Sequence, residues 1–563
     1  MAHMDASYDF IIVGGGPAGC VLASRLSASL TQCQILLIEA GGPNTDLKHQ
    51  SFGTRYWTLA TAPGYDWAYK TVPQEHLQGR EISYSRGRGM GGSTAINFCV
   101  FTRGPKADYD QWAHDVDDDA WSWQHALERF RKLESFGSSV EEYQAFVNAP
   151  ATAHGFQGPL KVGLPQIWDA EFGNYLRAIS ANDAINLDHN SGNPLGMAVC
   201  QVSALDGRRT TASDAFLHSP PTNLTIMTNS PVAKILFDQN SLKAVGVETS
   251  EKKFYARKEV ILCTGALDTP KLLLLSGIGP REELARHGIE VIHHLPGVGK
   301  NLRDRLWVEL VTVQKPNSHH RSSYIDSPAT LEEARTQYLK DKSGPLSDFD
   351  LPQMIAYLKS ERLLNSKDFS ALDTPTQQIF QAETRPHFEL ISHIGTPTVR
   401  SPEHYLATVV AFMNPLSSGT VTLTSPNPTS PASLDPNFLS DPFDRRIAIE
   451  AVREALDILD TPALANDRER IAAAPKGGSD DEILEYIQAT SNSMWHMSGT
   501  VKMGRPGEAD ACVDRDCRVA GVRGLRVVDM SVAPLLISAH TQAVAYLIGA
   551  TVADKMLEEY AGV

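Results

Sequence analysis

Between Tyr8 and Gly42 the chain reads YDFIIVGGGPAGCVLASRLSASLTQCQILLIEAGG, and the residues there that can do chemistry are Gly14, Gly16, Gly19 and Glu39. Glycines spaced G-x-G-x-x-G let a backbone turn tightly, approach a pyrophosphate and pack a helix closely on a strand. The helix that opens at Pro17 and Ala18 presents unpaired N–H groups and a positive partial charge to an anion. Glu39 lies 20 residues beyond Gly19. A carboxylate there, followed by Ala40, accepts hydrogen bonds from ribose hydroxyls and repels a 2′-phosphate. The stretch therefore predicts a dinucleotide site that disfavours NADP; by itself it does not separate FAD from NAD.

The elements that must position these residues follow from apolar periodicity. Phe10 to Val13 reads as a strand, Leu22, Leu26 and Leu30 mark one face of a helix, and Ile35 to Ile38 reads as a second strand, which together make a βαβ unit. At 563 residues the chain exceeds one ordinary core, so two domains are expected. Its 42% hydrophobic and 21% charged residues mark a globular protein, and a formal net charge of −15 argues against nucleic acid or an anionic membrane as partner. No apolar stretch approaches the roughly 20 residues needed to span a bilayer. Seven cysteines, sparse and odd in number, fit a reducing compartment, so a cytoplasmic location is expected. The leading MAHM looks like a tag remnant, which leaves secretion after removal of a signal peptide as the alternative. Cys512 and Cys517 are either a bridge or two buried thiols. His293-His294 and His319-His320 lack spaced co-ligands, so no metal site is expected.

Further along, Asn44 to Tyr84 is polar and aromatic, as a surface cover over the nucleotide would be. Arg86 to Gly104, RGRGMGGSTAINFCVFTRG, packs many glycines beside small hydroxyl residues, the composition of a backbone that approaches something closely. Trp121 to Phe136 is an amphipathic helical stretch. Asn223 to Glu248 reads as strands with a turn at Asp238-Gln239-Asn240. Glu259 to Gly279, EVILCTGALDTPKLLLLSGIG, is a strand, a small-residue turn and a helix that starts at Thr269-Pro270. From Leu306 to about Ser491, proline-rich joints at Gly344-Pro345, Pro402 and Pro426 to Pro436 separate alternating runs and a helix around Ile447 to Leu459.

Together these stretches resemble the glucose–methanol–choline (GMC) family of FAD oxidoreductases, in particular its aryl-alcohol oxidase-like and choline dehydrogenase-like members. The resemblance is carried by Gly91-Gly92-Ser93 with Asn97, by Arg103 to Ala113, by Glu259 to Gly279, by Pro296 to Asp304, and by Ser493 to Gly504 with Leu525 to Thr541. It implies an α/β (α+β) architecture: a Rossmann-like FAD-binding domain and a discontinuous substrate domain on a mixed or antiparallel sheet with helices. The expected boundaries are 5–43, 85–150, 196–305 and 492–563 for the FAD domain, 44–84 for the cover, and 151–195 with 306–491 for the substrate domain.

The resemblance also implies site residues. Gly91, Gly92, Ser93 and Asn97 would lie on the flavin and pyrophosphate, Val232 near the adenine, and Gly265, Asp529, His540 and Thr541 elsewhere along the cofactor. Some members tether FAD through a histidine just before that Asn; Ile96 stands there, so non-covalent FAD is expected. Arg305 replaces a usual histidine, with no role assigned. Oxidising C–OH to C=O removes a hydride from carbon and a proton from oxygen. Neutral imidazole is the side chain whose pKa best suits the proton. His496 is then the base and His540 the second polar group, with the two roles exchangeable. The expected partners are a small neutral primary alcohol, aryl or allylic, and O2, giving H2O2. A quinone or other acceptor, and a non-redox hydroxynitrile lyase that keeps FAD, stand as alternatives.

Overall fold

The computed structural model describes residues 6–45, 64–137, 145–165, 170–179, 185–238, 241–315, 327–347, 354–394, 403 and 405–561. Much of the expected cover, the turn residues Gln239 and Asn240, and His319, His320 and Pro402 lie outside them. The described residues form two large sheets, each built around buried β-branched and aliphatic runs.

In the first sheet Leu224–Met227, Ile35–Ile38, Ala6–Val13 and Lys253–Leu262 are neighbours, in parallel, and Leu525–Val527 continues that parallel set beyond Lys253–Leu262. Ile35 to Ile38 are buried on both faces, as a central parallel strand covered by helices on both sides must be. The earlier half of Lys253–Leu262 pairs antiparallel with Ala244–Thr249, which pairs with Val232–Phe237. Helix Pro17–Ser29 returns between the first two strands and packs on the C-terminal helix Thr541–Tyr560. A Cβ added at Gly549 would lie 2.6 Å from the Ala18 carbonyl oxygen, so glycine sets the separation of those helices. Arg25 pairs with Asp554 at 2.6 Å across the same contact.

The second sheet is antiparallel in every pairing among its described strands. It runs Arg468–Ala473, Leu306–Gln314, Tyr405–Phe412, Phe388–Ile394, Met354–Leu358, Gly196–Val199, with Asn492–Ser493 on Leu306–Gln314. Gly196–Val199 and Asn492–Ser493, which the sequence boundaries place with the cofactor domain, hydrogen-bond here. Both sit where the chain crosses between the sheets, so their pairing is decided by a partner distant in sequence. Helix Pro442–Leu459 packs on the Tyr405–Phe412 strand. Cys512 and Cys517 are free, buried thiols. No helix among the described residues is long and apolar enough to cross a membrane.

Candidate active site

The strand Ala6–Val13 runs into Gly14, whose φ of +107° favours glycine; a Cβ there would lie 2.4 Å from the Cys263 carbonyl oxygen. At Gly19 a Cβ would lie 2.1 Å from the Gly14 oxygen, so helix and strand meet without a side chain between them. At Gly16, the residue before the helix, a Cβ would meet nothing within 4 Å, and no side chain caps that helix. Pro17 begins the helix, and Ala18 and Gly19 follow in its first turn. This is an open, uncapped helix N-terminus on a glycine turn, which suits a pyrophosphate. The Gly89–Gly92 turn lies directly on it: Gly91 N–H donates to the Gly15 oxygen at 2.8 Å, and a Cβ on Gly92 would come within 2.8 Å of Gly16 Cα. Ser93 Oγ accepts from Gly87 N–H at 3.1 Å, so it braces this turn.

Glu39 is buried, and its carboxylate accepts from the N–H groups of Gly15 and Gly41, both at 2.8 Å, and of Gly89 at 3.0 Å. A carboxylate offers about four lone-pair sites, so about one remains for a ribose hydroxyl. Beyond the ribose role read from spacing, Glu39 ties both glycine turns together. Ala40 follows it, half-buried, and Ser230 N–H donates to the Glu39 carbonyl at 2.9 Å, which brings the start of the Val232 strand alongside. Each charge-assisted bond is worth about 1.5–3 kcal/mol, and a tenfold change in affinity is about 1.4 kcal/mol. Glu39→Ala is therefore expected to raise the FAD dissociation constant by about tenfold or more. Unchanged flavin retention after dialysis would remove Glu39 from the site.

Asn97 Nδ2 donates to Gln542 Oε1 at 2.7 Å, and its Oδ1 accepts from Arg209 at 2.7 Å. It thereby joins the glycine-rich loop to the first turn of the C-terminal helix, where Thr541 is the first residue and His540 the residue before it. Gly265, with φ +85° and open space where a Cβ would stand, donates its N–H to Asp529 Oδ2 at 2.9 Å. Thr269 Oγ1 donates to the same oxygen at 2.6 Å, and Ser531 N–H to Oδ1 at 2.8 Å. Burial pushes the Asp529 carboxyl up, against these donors.

The two histidines meet although they are far apart in the chain: their ring centroids are 4.9 Å apart, nearly perpendicular. His496 follows Trp495, a non-glycine residue at φ +57°. That strained turn is held by Asp304, whose Oδ1 accepts from His496 N–H and Arg305 N–H, both at 2.7 Å, and whose Oδ2 accepts from Ser493 Oγ. His540 N–H donates to Thr102 Oγ1 at 2.8 Å. Two charged residues complete the group. Arg305, 1% exposed, reaches His496 Nδ1 at 3.4 Å and donates to the carbonyls of Leu536, Ile537 and Ala539. Glu389, also 1% exposed, places Oε1 2.8 Å from His540 Nε2. Burial above all, then His540, Arg305 and Arg86, holds His496 well below the ordinary histidine value, so the ring is neutral near pH 7. The arrangement offers two imidazoles at one point, suited to holding a hydroxyl and removing its proton.

Sequence reasoning did not find Glu389. The available signal is a carboxylate inside the apolar run Phe388 to Ile394, FELISHI, where a buried charge is expected only with a partner. That partner, His540, is 151 residues away.

A family model for GMC oxidoreductases matches residues 8–307, and the C-terminal model of the same family matches residues 415–549. The chain is 33% identical over 559 residues to an alcohol dehydrogenase [acceptor] of Pseudomonas putida, covering 97% of this chain and 95% of that one. Among solved structures, the formate oxidase of Aspergillus oryzae superposes with a TM-score of 0.88 at 26% identity, over 99% of both chains. A FAD-dependent oxidoreductase of Chaetomium thermophilum does so at 0.88 and 27% identity, over 98% of this chain and 100% of that one.

Proposed function

The chain belongs to the GMC oxidoreductase family, and on that premise we propose that it holds FAD without a covalent bond and oxidises a small neutral primary alcohol, aryl or allylic, to the aldehyde, passing the electrons to O2. When bound, FAD supplies the acceptor for the hydride. The glycine turns at Gly14–Gly19 and Gly89–Gly92, braced by Glu39, would hold its pyrophosphate and ribose; Asn97, Gly265, Asp529 and Thr541 would border it, with Val232 toward the adenine. Isoleucine has no atom that can form the tether, and Ile96 supports the non-covalent reading.

The observation that carries the reading is the nearly perpendicular His496–His540 pair at 4.9 Å, with Arg305 against the first ring and Glu389 against the second. One imidazole takes the hydroxyl proton while the other holds the oxygen. Arg305 and Glu389 bring one positive and one negative charge to the same buried group, which favours an uncharged substrate. Phe98 and Trp495, with ring centroids 6.0 Å apart in the stretches that carry Asn97 and His496, favour an unsaturated one. A second reading, transfer to a quinone or other acceptor, is favoured by the Pseudomonas putida relative, an alcohol dehydrogenase [acceptor].

The test is an anaerobic screen over aryl, allylic, aliphatic and sugar alcohols. Bleaching by an aryl or allylic alcohol, with intact yellow FAD released by acid precipitation, is the expected result. Peroxide on readmitting air marks the oxidase; its absence, with turnover restored by a quinone, marks the dehydrogenase. A flavin that no alcohol bleaches overturns the reading.

A further inference from the structure

We propose that Asp108, paired with Arg385, is a positioning residue: it holds the backbone N–H of Ser538 and so ties the turn at residues 535–539 to the antiparallel sheet in the placement that flavin reduction requires. The proposal rests on alcohol oxidation as read above and leaves the roles of the two histidines open.

The turn has little hydrogen bonding of its own. Its Ala539 N–H donates to the Ile537 carbonyl at 2.7 Å, and its other polar groups are met by side chains from elsewhere in the chain. Arg305 donates to the carbonyls of Leu536, Ile537 and Ala539. Asp108, fully buried, accepts the Ser538 N–H on Oδ2 at 2.6 Å. Asn414 Oδ1 accepts the Ser538 hydroxyl at 2.6 Å, and Thr102 Oγ1 accepts the His540 N–H at 2.8 Å. Gly104, at φ +91°, lets the turn come close, since a Cβ there would lie 2.9 Å from Ile537 Cγ2. Buried backbone groups need partners, and here the partners lie outside the turn, so its position is imposed from outside and shifts when one support is lost.

Asp108 differs from the other supports in being half of a buried ion pair that spans the fold. It lies in helix Lys106–Val116, and its Oδ1 accepts from Nε of the buried Arg385 at 2.6 Å. Arg385 stands just before strand Phe388–Ile394, and Asn414 just after strand Tyr405–Phe412. Those strands pair, with Phe388 opposite Phe412, and Asn414 Nδ2 donates to the Pro386 carbonyl at 2.7 Å. One end of the antiparallel sheet therefore meets Ser538 twice, directly through Asn414 and through Arg385 by way of Asp108. Each Asp108 oxygen has its own donor, so the two bonds do not compete. A buried ion pair is a poor source of stability, because apolar side chains of similar volume often serve as well. What apolar side chains lack is an acceptor for the Ser538 N–H, and the Arg385 guanidinium holds that acceptor at one point.

Two double variants separate positioning from stability, because both remove the two buried charges together. Asp108→Asn with Arg385→Met keeps an acceptor for the Ser538 N–H; Asp108→Ala with Arg385→Met keeps none. In anaerobic stopped-flow reduction of the holoenzyme by the best alcohol from the screen, the alanine pair is expected to lose on the order of 10²-fold in limiting rate, the cost of displacing a reacting group by about 1 Å. The asparagine pair should stay much nearer the parent, with both pairs alike in urea midpoint and FAD content. Equal limiting rates in the two pairs overturn the proposal, as does a loss confined to the apparent dissociation constant of the alcohol. Asp108→Asn alone sets an amide N–H against one of two donors, so its rate should fall and recover when Arg385→Met is added; no recovery overturns the proposal even if the alanine pair misfolds. Amide hydrogen exchange at Ser538 reads the support without turnover, with protection like the parent's in the asparagine pair and fast exchange in the alanine pair. Should no alcohol bleach the parent, the functional reading fails, and the exchange alone judges whether Asp108 holds the turn.

Discussion

Alanine at His496 or at His540 is expected to slow anaerobic flavin reduction, by about 10²–10⁴-fold for whichever ring is the base, and the double variant should lose less than the product of the two single losses. The first figure is the usual contribution of a positioned base. The second follows because both rings act on one hydroxyl: once the proton has nowhere to go, holding the oxygen well achieves little, and the losses do not multiply. The comparison needs the flavin spectrum and the FAD stoichiometry of each variant, so that a slow rate with bound flavin is separated from an empty protein. Rates that multiply in the double variant would mean that the two histidines act at separate steps. A full loss of FAD in either single variant would make that histidine structural.

The parts of this site that sequence made legible are those whose chemistry is local. Gly14 and Gly19 announce themselves because a tight turn and a close helix–strand contact exclude a side chain, and the structure puts carbonyl oxygens 2.4 Å and 2.1 Å from their missing Cβ atoms, while Gly16, where a Cβ would meet nothing within 4 Å, leaves the helix end open. The strands around them were legible because short apolar runs beside a glycine turn suit strands, and in the structure Ile35–Ile38 are buried on both faces. Glu39 was legible as a position and only half legible as a role. Spacing puts a carboxylate at the strand end, but its bond to Gly89 N–H joins residues 50 apart in sequence. Arg305 and Glu389 lie at the far end of that scale. A buried arginine 191 residues from the histidine it reaches, and a glutamate 151 residues from the other, leave no periodic trace. The crossing strands Gly196–Val199 and Asn492–Ser493 escaped for the same reason: two to four residues choose a sheet by what lies beside them, not by their own pattern.

Glu134→Gln is expected to destabilise the protein by about 3–5 kcal/mol, the cost of leaving buried charges without their partner. Glu134 and Arg103 are fully buried, and Arg103 NH2 donates to Glu134 Oε1 at 2.6 Å. His154, 1% exposed, lies between two carboxylates: Nδ1 is 2.8 Å from Glu134 Oε1, and Nε2 is 3.1 Å from Asp188 Oδ1. Burial alone would raise both carboxyls, yet Arg103 and His154 at Glu134, and chiefly His154 at Asp188, outweigh it and hold them low. Burial alone would lower His154, yet its bonds to Asp188 and Glu134 raise it. The sign of the pH dependence follows. The carboxylates stabilise the fold above their unfolded value of about 4 and lose that contribution as pH falls through their depressed folded values; His154 contributes fully below about 6.5 and less as pH rises through its raised folded value. The urea midpoint of the parent should therefore exceed that of Glu134→Gln most between about pH 4 and 6.5, with the gap narrowing on either side. A gap that widens toward pH 9 would show that His154 is not held protonated. The effect should also reach the active site, because Arg103 N–H donates to Asn190 Oδ1 at 2.6 Å and so fixes the segment in which Thr102 accepts from His540 N–H. Glu134→Gln should thus slow flavin reduction measurably at a temperature where it is still folded, while an unaltered rate would confine the cluster to stability.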